Sequence, residues 1–204
     1  MKIFETEELY LRLVEEKDAQ DIFEYAQDAE TGPKAGWPPH KSVDETLGLI
    51  KFWLSADCKE EQYVIVLKSE NKVVGTMGVV NLNKKIKDEK NIAVKNFISE
   101  GKNVYEIGVT ISKNYWGKGI CTKTLKEMIK YLFEIRHADV VVATHYQQNI
   151  ASEKVQIKNN LKQIYKYERD SAWWTTSCKT MIVRAISKNE WLKGENSEAL
   201  DRNR

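Results

Sequence analysis

The chain has 204 residues and a formal net charge of +2, from 32 basic and 30 acidic side chains. This near balance argues against nucleic acid as a partner, because nucleic-acid-binding domains usually carry a strongly basic surface. No apolar run approaches the roughly 20 residues that a membrane-spanning helix needs, and a hydrophobic content of 42% predicts a globular protein with one substantial core.

Cysteine usage favours a reducing, cytoplasmic setting. Cys58, Cys121 and Cys178 are far apart and odd in number, so they form neither a zinc spacing nor a disulfide framework. No cluster of His, Cys and carboxylate residues suggests a metal ion. The N-terminal "MKIFETEELY" has no apolar segment ahead of a cleavage site, so we expect no signal peptide.

The first elements in chain order are a strand and two helices. Alternating polar and apolar residues over 8–14 predict a strand, and the apolar spacing within 16–30 predicts a helix. The Gly and Pro residues of 31–40 predict a loop in which they break any helix. Residues 41–56 predict a second helix, because "SVDE" near its start has the spacing of a capping box.

Two strands and a polar segment follow. Residues 62–82 predict two strands around a Ser-Glu-Asn turn. The segment 83–102 begins as a solvated charge run, whereas "IAVKNFIS" within it is consistent with a short helix.

The second half alternates between strands and helices. We predict strands at 103–111 and 138–146, helices at 122–136 and 150–160, and a closing strand pair in "LKQIYKYERD" and "SCKTMIVRAIS". This order indicates one mixed α/β domain over residues 1–192, in which a helical crossover makes one parallel strand pair. The apolar-poor residues 193–204 are expected to form a flexible tail.

The stretch "NYWGKGICTKTLKEM" places a flexible, positively charged turn before a helix. Gly117 and Gly119 have no Cβ, so an anion can approach the backbone amides at the helix start, where the helix dipole favours negative charge. Lys118 adds a mobile charge and Thr122 a hydroxyl. The spacing excludes a Walker loop and a dinucleotide fingerprint. A turn that starts a helix and binds nothing also fits these residues.

A longer pattern points to one family. The run "EIGVTISKNYWGKGICTKTLKEMIKYLF", followed by "QQNIAS" at 147–152, resembles the GCN5-related N-acetyltransferase (GNAT) superfamily. It is most similar to the branch with the ribosomal-protein N-terminal (serine/alanine) acetyltransferases, as is "GWPPH" at 36–40. The resemblance implies a single-domain α/β (α+β) fold: a mostly antiparallel sheet of about seven strands, a central splayed parallel pair and flanking helices.

The resemblance also implies acetyl-CoA as co-substrate, with no metal. Its pyrophosphate would be held by the backbone amides of the turn, which is formed by Trp116, Gly117, Lys118, Gly119, Ile120, Cys121 and Thr122. The strand end at Val109, Thr110 and Ile111 would lie beside the pantetheine arm, and Asn149 would bond the pantetheine or nearby backbone. For the side chain of Cys121, a small packing residue is favoured over a reactive thiol.

The sequence departs from the family pattern in two places that bear on the fold. Asn160 stands where a glycine commonly ends the helix, and asparagine tolerates the left-handed conformation that such an end needs. The segment 83–102 is longer than the usual link, which affects the substrate side.

Direct acetyl transfer to an amine needs a proton acceptor and, for the thiolate, a proton donor. Glu106 is the candidate base, and a solvent-facing strand carboxylate is the plainer interpretation. Ser152 is the candidate acid, although a serine at this point of a helix is often only a cap. Tyr146 and Tyr165 are alternatives to Ser152, although tyrosines are more often packing residues than catalytic acids.

Aromatic residues and histidines suggest the acceptor side. Trp37 and His40 lie in the "GWPPH" loop, which lines the acceptor side in this branch; packing and surface exposure are their plainer roles. Trp173 and Trp174 are adjacent, so in a strand they face opposite sides. His145 ends a buried strand and is expected to be a satisfied core residue.

These features favour an acetyl-CoA-dependent N-acetyltransferase. The acceptor is a primary amine: a protein N-terminus, a free amino acid, a polyamine or an amino-sugar drug. One alternative is a catalytically inactive CoA-binding sensor or interaction module. Another is a nucleic-acid-binding protein that uses the lysine-rich segments 83–102 and 154–169. We expect no nucleic acid and no membrane as partners, and a monomer or homodimer.

Overall fold

A computed structural model describes residues 2–85, 92–100, 102–169 and 180–194. Its strands form an eight-stranded sheet in the order β1-β2-β3-β4-β5-β6-β8-β7. The strands are β1 (Lys2–Glu5), β2 (Leu9–Leu13), β3 (Glu60–Leu67), β4 (Lys72–Asn81), β5 (Val104–Ile111), β6 (Val140–Tyr146), β7 (Lys162–Glu168) and β8 (Thr180–Ser187). The β5–β6 pair is parallel and the other six neighbouring pairs are antiparallel.

Seven α-helices cover the sheet within the described residues. They are α1 (Ala19–Ala26), α2 (Thr31–Ala35), α3 (Val43–Leu54), α4 (Leu82–Lys85), α5 (Ile92–Ser99), α6 (Ile120–Glu134) and α7 (Ile150–Lys158). Residues 188–194 are also helical up to the end of the described chain. None of the described helices is long and apolar enough to cross a membrane.

The alternation of strand side chains divides the core between the two faces of the sheet. On one face, here the α6 face, Tyr105 and Ile107 of β5 pack with Leu125 and Met128 of α6. On the other, here the α1 face, buried residues of β3 pack with α1 and α3. The α1 face continues under α5, where Phe97 packs on a cluster that includes Val104 and Val142.

Most predicted elements are confirmed within a few residues. The Ser42 hydroxyl accepts from the Glu45 amide over 3.1 Å and so caps α3, while the Glu45 carboxylate accepts from the Lys41 amide over 2.6 Å. The "IAVKNFIS" segment is helix α5, and β7 and β8 form the closing pair. Asn160 adopts the left-handed conformation, with φ of 60°.

Three expectations about local structure need correction. The predicted loop 31–40 contains the short helix α2, which tolerates Pro33 because the first amides of a helix have no internal partner. The predicted helix 16–30 is a 3-10 turn followed by the shorter α1. The sheet has eight strands, because the short β1 pairs with β2. The segment with Trp173 and Trp174 and the tail 195–204 lie outside the described residues.

Candidate active site

The two parallel strands pair only at their beginning. β5 and β6 pair from Val104 with Val140 to Glu106 with Val142, and no further. β4 stays paired with β5 to Ile111, and β8 stays paired with β6 to Tyr146. The strands therefore diverge within an otherwise paired sheet. This divergence, here called the fork, opens the sheet between its two faces, and the predicted splayed parallel pair is confirmed.

The glycine turn lies at the far end of β5 and starts α6. Gly117 and Gly119 have φ of 76° and 77°, a conformation that side chains with a Cβ rarely adopt. Among the described residues other than its chain neighbours, no atom lies within 4 Å of the point where a Cβ of either glycine would stand. Gly119 is the N-cap of α6, so the next amides have no intrahelical partner. The turn is an exposed backbone cradle that fits an anionic group.

The side chains of the turn support its shape. Trp116 donates from its indole nitrogen to the Ile111 carbonyl over 2.7 Å, which ties the turn to β5. The ammonium nitrogen of Lys118 lies 4.8 Å from the ring centroid of Tyr115. Lys118 itself is exposed and remains beside the cradle.

The first residues of α6 anchor it in the core. Ile120 is buried and Cys121 packs against the same core cluster. Burial raises the pKa of the Cys121 thiol to about 12, so it remains protonated at neutral pH. The Thr122 carbonyl accepts from the side-chain amide of Asn159, the C-cap of α7, over 3.3 Å. The thiol is thus a packing group, as the sequence favoured.

The diverging part of β5 presents different groups to the two faces. Val109 packs against the core of the α6 face, and Ile111 is buried there. Gly108 is exposed, and a Cβ added to it would meet no atom within 4 Å in the described part of the chain beyond its own neighbours. Thr110 is half-buried on the opposite face. The edge of β5 that faces the fork is therefore open to a bound molecule.

Glu106 lies at the last paired position of β5, where the fork begins. Its Oε1 accepts from Thr144 Oγ1 of β6 over 2.9 Å. Both side chains project to the α1 face, because they alternate with Tyr105 and Ala143 of the α6-face core. The carboxylate is half-buried.

Asn149 and Ser152 begin α7, just after β6. Asn149 is the N-cap: its Oδ1 accepts from the Ser152 amide over 3.1 Å, and its Nδ2 donates to the Lys34 carbonyl over 3.1 Å. The Ser152 Oγ accepts from Gln156 Nε2 over 3.1 Å. α7 packs on β6 and α6, so Ser152 lies toward the α6 face, opposite to Glu106.

Trp37 and His40 lie on the α1 face, where Trp37 packs against the α1 and α3 cluster. Their ring centroids are 5.2 Å apart. The His40 Nδ1 lies 2.8 Å from Thr46 Oγ1, and that hydroxyl donates to a backbone carbonyl. The hydroxyl has one proton, so when it donates to the Ser42 carbonyl, His40 Nδ1 carries the ring proton and Nε2 is left as an acceptor. Burial lowers the pKa of His40, so the neutral ring is favoured.

The α2 segment links the two sides of the fork. Lys113, after β5, pairs with Glu30 over 2.6 Å, and the Lys34 ammonium lies 4.9 Å from the Trp116 ring centroid. The hydrogen bond from Asn149 to the Lys34 carbonyl completes the link on the β6 side. Sequence reasoning missed this link, because it assigned 31–40 to a loop.

The remaining candidate groups have clear places. Tyr146 is buried on the α1 face, 3.6 Å from the position of a Cβ on Gly36, so it is opposite to Ser152. Tyr165 stacks with Tyr167 at 6.2 Å on β7. His145 is buried, and its Nδ1 lies 2.9 Å from the Tyr146 carbonyl. The expectation that His145 is fully satisfied is wrong within the described chain, because its Nε2 has no partner there.

The family model for the acetyltransferase (GNAT) domain matches residues 8–162. The chain is 26% identical over 157 residues to the uncharacterized N-acetyltransferase p20 of Bacillus licheniformis, which covers 76% of this chain and 79% of that protein. RimL, a ribosomal alpha-N-protein acetyltransferase solved with coenzyme A, matches with a TM-score of 0.72 at 16% identity, over 93% of this chain and 99% of RimL. Spermidine N-acetyltransferase from Vibrio cholerae, solved with CoA and spermine, matches with a TM-score of 0.70 at 14% identity, over 92% and 99%.

The chain therefore belongs to the GNAT acetyltransferase family. Its sequence relatives are named as N-acetyltransferases, and this chain is an N-acetyltransferase as well. The structural neighbours include ribosomal-protein acetyltransferases as well as a spermidine N-acetyltransferase, and at identities of 14% to 19% they show the fold alone. Within that fold, the fork between β5 and β6 is the feature that opens the sheet.

Proposed function

We propose that the protein transfers an acetyl group from acetyl-CoA directly to a primary amine in a ternary complex, and that the amine is a protein N-terminal α-amine. The observation that carries the proposal is the fork. It joins the α6 face, with the glycine cradle, to the α1 face, with Trp37 and His40. A donor held on one face can thus meet an amine on the other without a covalent enzyme intermediate.

The cradle fits the pyrophosphate of acetyl-CoA on structural grounds. Gly117 and Gly119 are left-handed and exposed, and a Cβ on either would have open space around it among the residues that the structure describes. The unpartnered amides of α6 point to the same place, and Lys118 adds a positive charge. The pantetheine then lies along the open edge of β5 at Val109 to Ile111, with its thioester end at the fork.

The proton acceptor and the proton donor lie on opposite faces. The amine nitrogen attacks the thioester carbon, the C–N bond forms and the C–S bond breaks. Glu106 on the α1 face accepts the surplus amine proton, and Ser152 on the α6 side donates its hydroxyl proton to the thiolate. The proton on Glu106 returns through solvent to the serine oxygen. A backbone amide of the open β5 edge, at Val109 or Thr110, stabilises the oxyanion.

The strength of the base favours an α-amine. An α-amine with a pKa near 8 is about one-tenth neutral at pH 7, whereas a lysine-like amine with a pKa near 10.4 is neutral in less than about one molecule in 10³. A single carboxylate such as Glu106 is a weak base, and it suits the acceptor that needs less help.

A matched set of acceptors tests the proposal. The assay follows thiol release from acetyl-CoA and the mass of the product, with a lysine-free peptide that has a free N-terminus. The controls are the same peptide with a blocked N-terminus, a blocked peptide with one lysine, and spermidine. We expect the free N-terminus to be acetylated with kcat/KM at least about 10-fold above the lysine peptide, because far more of its amine is neutral. Turnover of spermidine alone would replace the α-amine with a polyamine, and binding of acetyl-CoA without any turnover would indicate the inactive binding module.

A further inference from the structure

We propose that Gln156 is a positioning residue that directs the hydroxyl proton of Ser152 toward the leaving thiolate. The inference rests on the proposed function, in which Ser152 protonates that thiolate. It begins from one contact on the inner side of α7, where Gln156 Nε2 donates to Ser152 Oγ over 3.1 Å. The two residues are one helical turn apart, so the helix itself fixes their relative position.

The contact determines where the serine proton points. A hydroxyl has one proton to donate and two lone pairs that accept. Because the Ser152 oxygen accepts from Gln156, its own proton is left to another acceptor. Within the described chain no protein group takes that proton. It is therefore available to a thiolate on the α6 side of the fork.

The burial of Gln156 gives independent support for a role beyond packing. Its side chain is 4% exposed, and its Oε1 has no hydrogen-bond partner among the described residues. Burying an amide in place of an apolar side chain costs free energy unless the amide is hydrogen-bonded. The one side-chain hydrogen bond of Gln156 within the described chain is the bond to Ser152, so this contact is what the buried amide contributes.

An ion pair on α7 bears on the orientation of the Gln156 amide. Arg184 of β8 is 8% exposed, and its guanidinium donates to Glu153 of α7 over 2.7 Å. Glu153 lies about one helical turn before Gln156, and an unpaired carboxylate there would attract the NH2 group of the amide. The pairing with Arg184 neutralises this carboxylate, so it does not compete with Ser152 for Nε2 of Gln156.

The decisive variant is Gln156→Glu, which keeps the length and shape of the side chain. A carboxylate can only accept from Ser152, so it draws the proton away from the thiolate. We expect kcat to fall at least about 10-fold, within the range that a general acid supplies, while KM for acetyl-CoA changes less than about twofold. Gln156→Leu removes the contact without adding a charge, and it should lower kcat by about threefold or more.

A double-mutant cycle separates this role from a purely structural one. In a Ser152→Ala background the proton is gone, so Gln156→Glu should cause no further loss of kcat. Gln20→Glu, which adds the same charge at an exposed position of α1, serves as the matched control and should leave kcat unchanged. Thermal unfolding of each variant shows whether it is folded, and Gln156→Leu supplies the cycle if the glutamate variant is not.

The outcomes distinguish failure of the role of Gln156 from failure of the proposed function. If the wild type turns over and the effects of the Gln156 and Ser152 substitutions multiply independently, Gln156 does not act through Ser152 and the inference is wrong. An unchanged kcat in both folded Gln156 variants would overturn it too. If the wild type releases no thiol with any amine, the proposed function is wrong, and the inference fails with it.

Discussion

Thr144 on β6 donates a hydrogen bond of 2.9 Å to Glu106 on β5, at the point where the two strands stop pairing. The bond joins the two sides of the fork on the α1 face. A threonine hydroxyl thus holds the candidate base in place at the opening of the sheet.

The first prediction concerns these two residues. Glu106→Gln should lower kcat by about 10² or more, because it removes a general base, while acetyl-CoA still binds on the other face. Thr144→Val should have a smaller effect in the same direction, since the base remains but loses its orientation. Steady-state kinetics and calorimetric titration of acetyl-CoA measure both. Equal kcat in the wild type and Glu106→Gln would remove Glu106 from the mechanism.

A pair of glycines tests the cradle. Gly119→Ala places a Cβ on a left-handed residue, which costs about 1–2 kcal/mol and shifts the amides of α6. We expect the Kd for acetyl-CoA to rise at least about 10-fold, as the anion loses its aligned donors. Gly48 lies on an exposed part of α3 with open space around it, and Gly48→Ala should leave the Kd unchanged. Similar affinities in the two variants would mean that the turn does not hold the cofactor.

Gly32 tests the acceptor side. A Cβ on Gly32 would lie 2.6 Å from the Trp37 ring and 2.8 Å from the Trp37 carbonyl, so Gly32→Ala must displace this loop. Because Trp37 lies on the α1 face, where the amine is proposed to bind, KM for the amine should rise about several-fold. A rise of this size corresponds to weakening one aromatic contact with the amine substrate. The Kd for acetyl-CoA should change less than the KM for the amine, because α2 reaches the cofactor side only through its backbone contact with Asn149 and its Lys34 and Glu30 side chains. A change in the Kd for acetyl-CoA with no change in the KM for the amine would instead assign Trp37 to the acetyl-CoA side of the fork.

Two histidines predict how stability depends on pH. Burial lowers the pKa of His40 and His145 below the ordinary value of 6.5. As the pH falls through this value the unfolded chain binds protons first, so the free energy of unfolding decreases between pH 7.5 and pH 5.5, values about one unit either side. The double variant His40→Asn with His145→Asn should flatten this part of the curve. Chemical denaturation across the range measures it, and the exposed His137→Asn variant, which tolerates the left-handed φ of 52°, should keep the wild-type slope.

The carboxyl groups whose pKa is lowered affect stability in a separate, more acidic pH range. The pKa of Glu5 is lowered to about 2 by Lys2 and Lys68, and that of Glu190 to about 2 by Lys162 and Ser187. Their contributions are present above the ordinary glutamate pKa near 4.3 and are lost only as the pH falls below it. An unchanged slope in the histidine double variant would therefore contradict the assignment to histidine.

Cys121 should be inert in the folded protein. With a pKa of about 12, its thiolate is present in about one molecule in 10⁴ at pH 8. Alkylation of Cys121, followed by peptide mass spectrometry, should be at least about 100-fold slower in the native protein than in denaturant. Rapid native alkylation with loss of activity would show a reactive thiol instead.

Features set by local chemistry were predictable from the sequence. The left-handed Gly117 and Gly119 follow from a Gly-Lys-Gly turn before a helix, and the cap of α3 follows from the spacing of Ser42 and Glu45. The central parallel pair follows from a strand, helix and strand in succession. Each of these depends on residues that are close together along the chain.

Features set by contacts between distant segments were not predictable in the same way. Glu106 and Thr144 are 38 residues apart, and their contact depends on the register of β5 with β6. The link from α2 to Asn149 spans 115 residues. In the sequence, Gln156 is one polar residue within a predicted surface helix. Many surface helices contain such residues, so nothing in the sequence marks it as functional. Such partners are visible only once the strands are placed side by side.

The fork is proposed to bring acetyl-CoA and an amine together for direct transfer. Initial rates of thiol release, with the concentrations of acetyl-CoA and a free-N-terminus peptide both varied, test this together with the mass of the peptide product. Direct transfer in a ternary complex predicts a peptide that gains one acetyl group and double-reciprocal lines that intersect. Parallel lines with an acetylated protein, or no transfer to any amine by a protein that binds acetyl-CoA, would contradict it.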